Sequence, residues 1–285
     1  MTTVFLNGEF LPSDQAKISV FDRGFLLGDG VYEVIPAYSG TLFRLDEHLD
    51  RLQNSLDEIK LKNPLSRDQW VATLNRLVAK NYAADLSVYL QVTRGIAVRD
   101  HAFPSEVTPT IFAMVNPIKA LDDALYQHGV SAITVEDNRW TRCNIKAISL
   151  LPNVLLRQQA VEEGVSEAIL HRNGHITEGA ACNIFAVFGD ELITPPKSSE
   201  LLPGITRDLV LELSIETGIK AQESDITFQE FKSADEIWLT SSTKEILPVT
   251  ELDGSPVGDG KPGKVWRMMN DVYKKYKTTL HANPQ

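Results

Sequence analysis

Lys146, Glu178 and the run Leu202-Pro203-Gly204-Ile205-Thr206-Arg207 supply an amine, a carboxylate and a glycine-opened helix start. An amine can join an aldehyde as a Schiff base, a carboxylate can partner a protonated ring nitrogen, and the N–H groups of a helix start suit a phosphate. Pyridoxal 5'-phosphate makes these three demands together. Each residue also has a plainer reading. Lys146 fits a solvated surface amine, Glu178 an edge charge after the Asn173-Gly174 turn, and Gly204 to Arg207 an ordinary helix cap.

Other residues offer weaker signals. Trp140, Arg142, Asn144 and Lys146 share parity, so an extended segment would put Arg142 and Lys146 on one face, where the arginine would disfavour a protonated lysine. Ser241-Ser242-Thr243 offers hydroxyls after a predicted strand, or a plain turn. Arg51 lies beside the Leu49/Leu52 stripe, and Glu47 four residues earlier could make it a surface helix pair. His171 and His175 have the spacing of a helical metal pair, but Arg172-Asn173-Gly174 predicts a hairpin turn, and no metal site is expected. Gly28-Asp29-Gly30-Val31-Tyr32-Glu33 lacks the third glycine of a dinucleotide fingerprint and leads into a strand. The sequence contains neither a Gly-x-Ser-x-Gly elbow nor a P-loop.

The elements that must carry these residues read as a mixed α/β chain. Asn7-Gly8 and Ser39-Gly40 predict hairpins, Leu45 to Ile59 an amphipathic helix, and Ser66 with Gln69 a capping box that starts another. Leu86 to Thr93 and Thr110 to Val115 read as strands. Asn116-Pro117 then marks a boundary, predicting a smaller N-terminal domain over 1–118, a linker over 119–123 and a larger mixed domain over 124–285. In the latter, five short strands begin near Val130, Glu167, Ile184, Glu191 and Glu236, and helices cover Leu150 to Glu163, Thr206 to Thr217 and Gly263 to Tyr276. The tail beyond Tyr276 looks loose.

With 285 residues, 43% of them hydrophobic, the chain can bury a full core. A net charge of -10 argues against nucleic-acid binding, since tracking a phosphate backbone takes a basic surface. No uncharged apolar run approaches the length that spans a bilayer, and two cysteines are too few for a disulfide framework, so a cytoplasmic location is expected.

Glu178, Ala180, Asn183-Ile184-Phe185, Leu192-Ile193-Thr194 and Leu202 to Arg207 together resemble the signature of class IV pyridoxal-phosphate aminotransferases. The resemblance extends through Asp22-Arg23-Gly24, Gly28 to Glu33, Glu47 to Leu52 and Gln91 to Gly95, and within the class is strongest to the D-amino-acid aminotransferases. It implies a two-domain fold-type-IV subunit, with the active site at the domain interface and completed in a homodimer. It also implies Lys146 as the Schiff-base lysine, Glu178 at the pyridine nitrogen, and Arg51, Ile205, Thr206 and Ser242 at the phosphate. Leu202 would pack on the ring and Tyr32 would lie beside cofactor and substrate. Arg99 and His101 match the pair that holds the substrate α-carboxylate across the dimer. Asp100, between them, would weaken that trap if it turned inward.

The implied reaction is ping-pong transamination of a D-amino acid such as D-alanine with a 2-oxo acid such as 2-oxoglutarate, Lys146 moving the Cα proton. Rivals of the same fold are branched-chain L-amino-acid aminotransferases and aminodeoxychorismate lyases. A rival of another kind is a ligand-binding protein that keeps the pocket without the chemistry.

Overall fold

The computed structural model describes residues 2–81 and 85–282. The chain divides into two compact units. Unit 1 holds the chain up to Lys119, the segment Ile145–Leu150 and the residues from Leu280 on; unit 2 holds Ala120–Asn144 and Leu151–Thr279.

Unit 1 contains β1 (Thr3–Leu6), β2 (Glu9–Pro12), α1 (Arg23–Leu27), β3 (Gly30–Tyr38), β4 (Thr41–Leu42), α2 (Leu45–Glu58), α3 (Arg67–Lys80), β5 (Asp85–Thr93) and β6 (Thr110–Pro117). The six strands form one antiparallel sheet in the order β2-β1-β6-β5-β3-β4. The β1–β2 turn uses Asn7 (φ 48°) and Gly8 (φ 100°), the positive angles a tight hairpin requires. The Ser66–Gln69 capping box forms as its sequence predicts and starts α3. Leu52, Leu56, Trp70, Leu74, Leu77, Val88 and Leu90 are the fully buried centre of the core. Burying side chains of this kind stabilises by about 1.5–3 kcal/mol each.

Unit 2 contains α4 (Asp123–His128), β7 (Val130–Glu136), α5 (Leu151–Glu162), β8 (Glu167–Arg172), β9 (His175–Gly179), β10 (Asn183–Phe188), β11 (Glu191–Thr194), α6 (Ile205–Thr217), β12 (Lys220–Glu223), α7 (Phe228–Phe231), β13 (Glu236–Ser241), β14 (Glu245–Leu252), β15 (Ser255–Pro256) and α8 (Lys264–Ala282). Its nine-stranded sheet runs β12-β11-β10-β13-β14-β7-β8-β9, with β15 beside β14. The β7 strand is parallel to both β14 and β8, while β8–β9, β10–β13 and β13–β14 are antiparallel. Ile169, Ile184, Ala186, Ile237 and Leu239 fill its core.

Several local features differ from the sequence reading. The strand β14 has no place in that reading, because Pro248 interrupts its pattern and a proline cannot donate to a ladder; here it sits opposite Trp238 in the sheet interior. Past Tyr276 the expected loose tail is helix as far as Ala282, and residues 283–285 lie outside the described residues. No helix among the described residues is long and apolar enough to cross a membrane.

Candidate active site

In unit 1, Lys146 is fixed through its backbone. Its carbonyl accepts the Tyr32 N–H at 2.9 Å, its own N–H donates to Ser55 Oγ at 3.2 Å, and Ala147 bridges to Val31 of β3. The half-buried Nζ stands 4.3 Å from the centroid of the Tyr32 ring, which stacks on Tyr89 at 5.6 Å. A cation over an aromatic face is attracted by the ring quadrupole. Lys146 and Tyr32, two of the residues expected at the site, are therefore brought together.

Below them lies a buried triad. Val31, Glu33 and Ile35 share the parity of the β3 face that is wholly buried, so the strand carries one acid into the core. The buried face of α2 answers with His48 and Arg51 among Leu49, Leu52 and Leu56. Arg51 donates Nε to Glu33 Oε1 and NH2 to Glu33 Oε2, each at 2.8 Å, and His48 Nδ1 meets Oε2 at 2.8 Å. Burial pushes the Glu33 carboxyl up, but the Arg51 charge and the Arg51 and His48 hydrogen bonds outweigh it and hold the group well below its ordinary range. Burial, helped by the charges of Arg51 and Lys146, pushes the His48 imidazole down. Arg51 is not the surface partner of Glu47, which pairs with Arg44 instead.

In unit 2, the Glu178 carboxylate on β9 is buried, and both oxygens are engaged. Oε1 accepts from Arg139 NH1 at 2.7 Å; Oε2 accepts from the Leu202 N–H at 3.0 Å and Asn183 Nδ2 at 3.2 Å. Burial pushes its pKa up against the pull of Arg139. Asn183 Nδ2 also donates to the Leu202 carbonyl at 2.8 Å, so one amide ties Glu178 to the Leu202–Arg207 loop. A Cβ on Gly204 would lie 1.8 Å from Asn183 Oδ1, so only glycine fits that approach. Gly204 then starts α6 with no side-chain cap, leaving the Ile205 and Thr206 end of the helix to bind an anion by backbone donors and a buried hydroxyl. Ser242 lies half-buried in the β13–β14 turn, where Ser241 Oγ accepts the Lys244 N–H. The donor set, a buried carboxylate beside an uncapped helix start, fits a ring nitrogen and a phosphate.

The extended face expected for Trp140 to Lys146 does not form. The chain turns at Cys143-Asn144, held by the Cys143 N–H to Ser199 carbonyl bond (2.7 Å) and by Cys143 Sγ on the Trp140 carbonyl (3.2 Å). The turn ends the alternation, and Arg142 is exposed on unit 2 while Lys146 belongs to unit 1. His171 and His175 flank the β8–β9 hairpin as expected, with Asn173 (φ 52°) and Gly174 (φ 80°) at its tip.

Arg99 and His101 are exposed on the loop between β5 and β6. That loop is pinned by buried arginines. Arg23 NH1 donates to the Asp100 carbonyl (2.6 Å) and to that of Ala102 (3.2 Å), and the Arg94 guanidinium lies 3.7 Å from the centroid of the Phe103 ring. Asp100 Oδ1 accepts the Ala102 N–H at 3.2 Å, so the acid is engaged within its own loop.

Glu33, His48, Ser55, Asp137 and Arg139 have no part in the sequence-based site. Parity alone points to Glu33 as a core-facing acid in need of a base, whereas Asp137 and Arg139 lie in an irregular segment with no pattern to reveal them.

The pattern of the family described as amino-transferase class IV matches residues 30–252. The D-alanine aminotransferase of Staphylococcus haemolyticus is 40% identical over 277 residues, covering 97% of this chain and 98% of that protein. Among solved structures, the branched-chain amino acid aminotransferase of Escherichia coli superposes with a TM-score of 0.90 at 27% identity, over 96% of this chain and 94% of that one. The branched-chain aminotransferase of the archaeon Thermoproteus uzoniensis, solved with norvaline, gives 0.87 at 27% identity, again over 96% and 94%.

Proposed function

The chain belongs to the class IV aminotransferases, and on that premise we propose that it moves the amino group of D-alanine and similar D-amino acids to a 2-oxo acid, with pyridoxal 5'-phosphate as cofactor. The observation that carries the D-amino-acid reading is the identity to the staphylococcal D-alanine aminotransferase over nearly the whole chain, well above that to the branched-chain enzymes.

When bound, the cofactor supplies an aldehyde to take up the amino group and a protonated pyridine to withdraw electrons from the substrate Cα. The chain's own residues do the rest. Lys146 Nζ holds the aldehyde at rest and, once displaced, carries the proton away from Cα. Glu178 would accept the pyridine N–H, and Leu202, which donates its N–H to Glu178, would pack on the ring. The α6 start at Ile205 and Thr206, with Arg51 and Ser242, serves the phosphate.

In this reading Tyr32 borders the substrate, and Arg99 with His101 takes its α-carboxylate from a second copy of the chain. Support for a homodimer comes from the same region. The segments carrying Phe21 and Ile96 pair through an Asp22–Ile96 bridge, and Phe21, Phe25, Ile96, Val98 and Phe103 are all more than half exposed. An apolar patch of this kind marks a protein–protein surface. A cytoplasmic location belongs to the same proposal, with Cys143 and Cys182 as thiols.

Parallel assays with D-alanine, L-leucine and aminodeoxychorismate, with 2-oxoglutarate as acceptor for the amino acids, test the assignment. Pyruvate formed from D-alanine with ping-pong kinetics is expected, and activity confined to either of the other two would overturn it.

A further inference from the structure

Glu178 is the end of a ladder of alternating charge that no step above uses. Arg139 spends one edge of its guanidinium on Asp137, donating Nε to Oδ1 and NH2 to Oδ2, each at 2.9 Å. Its remaining nitrogen, NH1, reaches Glu178 Oε1. On the far side Arg172 NH2 stands 3.1 Å from Asp137 Oδ2 and also donates to the carbonyls of Arg139 (3.0 Å) and Trp140 (3.3 Å). Asp137 is completed by its own contacts: its carboxylate accepts the Arg139 N–H (3.0 Å) and the Thr177 hydroxyl (3.4 Å). The order Arg172, Asp137, Arg139, Glu178 is therefore built from β8, the irregular segment after β7 that carries both Asp137 and Arg139, and β9.

The charges explain why four members are needed. Asp137 and Arg139 alone would form a closed, neutral bidentate pair and leave Glu178 as an uncompensated anion in the interior, which costs several kcal/mol. Arg172 balances Asp137, so the trio carries one net positive charge, and Arg139 NH1 delivers it to Glu178. The Arg172 side chain is 11% exposed, and its NH1 lies 3.7 Å from Glu200, whose side chain is 40% exposed and well screened. Asp137, whose side chain is fully buried, is the nearer partner.

We propose that Arg139 is a positioning residue for the cofactor's ring nitrogen, acting through Glu178, and that Arg172 supports it from one residue further away through Asp137. This rests on the reading of Glu178 as the partner of that nitrogen. A carboxylate held as an anion keeps the pyridine N–H protonated, while one left to burial alone takes up the proton itself. The ladder thereby sets the electron-withdrawing power of the bound ring without touching it.

The test is the 15N NMR signal of ring-labelled pyridoxal phosphate in reconstituted holoenzyme, measured on the parent protein, Arg139→Met, Arg139→Lys, Arg172→Met and Glu178→Gln, with kcat alongside. In Arg139→Met the signal is expected to move from the protonated toward the unprotonated position, with kcat down by about 10- to 100-fold, by analogy with the loss of a group that orients a metal ligand. Arg139→Lys restores part of both, and Arg172→Met moves both in the same direction by less. An unmoved signal in folded Arg139→Met, or in Arg139→Lys and Arg172→Met where the methionine variant at 139 does not fold, overturns the proposal while leaving the parent reading intact, provided Glu178→Gln shifts it. A signal unmoved in Glu178→Gln as well overturns both.

Discussion

Glu33 and Glu178 are buried glutamates, each bonded to an arginine, yet the two units shift them in opposite directions. Glu33 receives two N–H groups from Arg51 and a third contact from His48, and it is held well below its ordinary value despite burial. Glu178 receives one N–H from an arginine that Asp137 already grips on its other edge, with only the uncharged Leu202 N–H and Asn183 amide beside it, and burial wins, raising it above its ordinary value. Burial alone thus does not decide the direction in which a carboxylate shifts; the charge carried by its donors does. Glu33, with two charged N–H donors from Arg51, anchors that arginine and β3. Glu178 has a single charged donor, Arg139, on Oε1, and uncharged donors on Oε2.

The largest expected effect separates anchor from working group. Glu33→Gln removes the carboxylate that takes two Arg51 N–H groups and is expected to cost about 3–5 kcal/mol of stability, as losing one partner of a buried pair does. Glu178→Gln leaves Arg139 on Asp137 and is expected to cost clearly less while abolishing most turnover. Urea unfolding of both variants checks this; equal losses of stability would erase the distinction.

A smaller effect, of opposite sign in the two units, should appear with pH. Glu33 has a folded value below its ordinary 4.5, so its stabilisation is complete above that pH and is lost as pH falls toward the folded value. Glu178 has a folded value above 4.5, so its favourable contribution is present below that pH and is lost as pH rises through the folded value. The stability difference between parent and Glu33→Gln should therefore shrink on acidification below 4.5. That between parent and Glu178→Gln should turn against the parent as pH rises above 4.5. Unfolding free energies measured from about pH 2 to 8 would show the two slopes, and slopes of the same sign would contradict the comparison.

What the sequence made legible follows from how local each signal is. Asn7-Gly8, Asn173-Gly174 and the Ser66–Gln69 box act within a few residues and could be read directly. The amphipathic stripe of α2 was equally plain, though its two charged members on the buried face, His48 and Arg51, make sense only with β3 laid against them. Gly204 read as an anion-binding helix start, but its need to be glycine comes from Asn183, far earlier in the chain, and appears only in three dimensions. The turn at Cys143-Asn144 defeated a parity argument because the bonds that hold it run to Ser199, far along the chain. The Asp137–Arg139 pair is invisible for the same reason: its meaning depends on Arg172 and Glu178, which separate strands deliver.

Lys146 is the residue on which the account depends. Borohydride reduction of the holoenzyme, followed by proteolysis and mass spectrometry, fixes the vitamin onto whichever amine holds it. The account predicts a single pyridoxyl group on the peptide containing Lys146, with none in Lys146→Ala. A group on another lysine, or none at all in a protein that still transaminates, would contradict it.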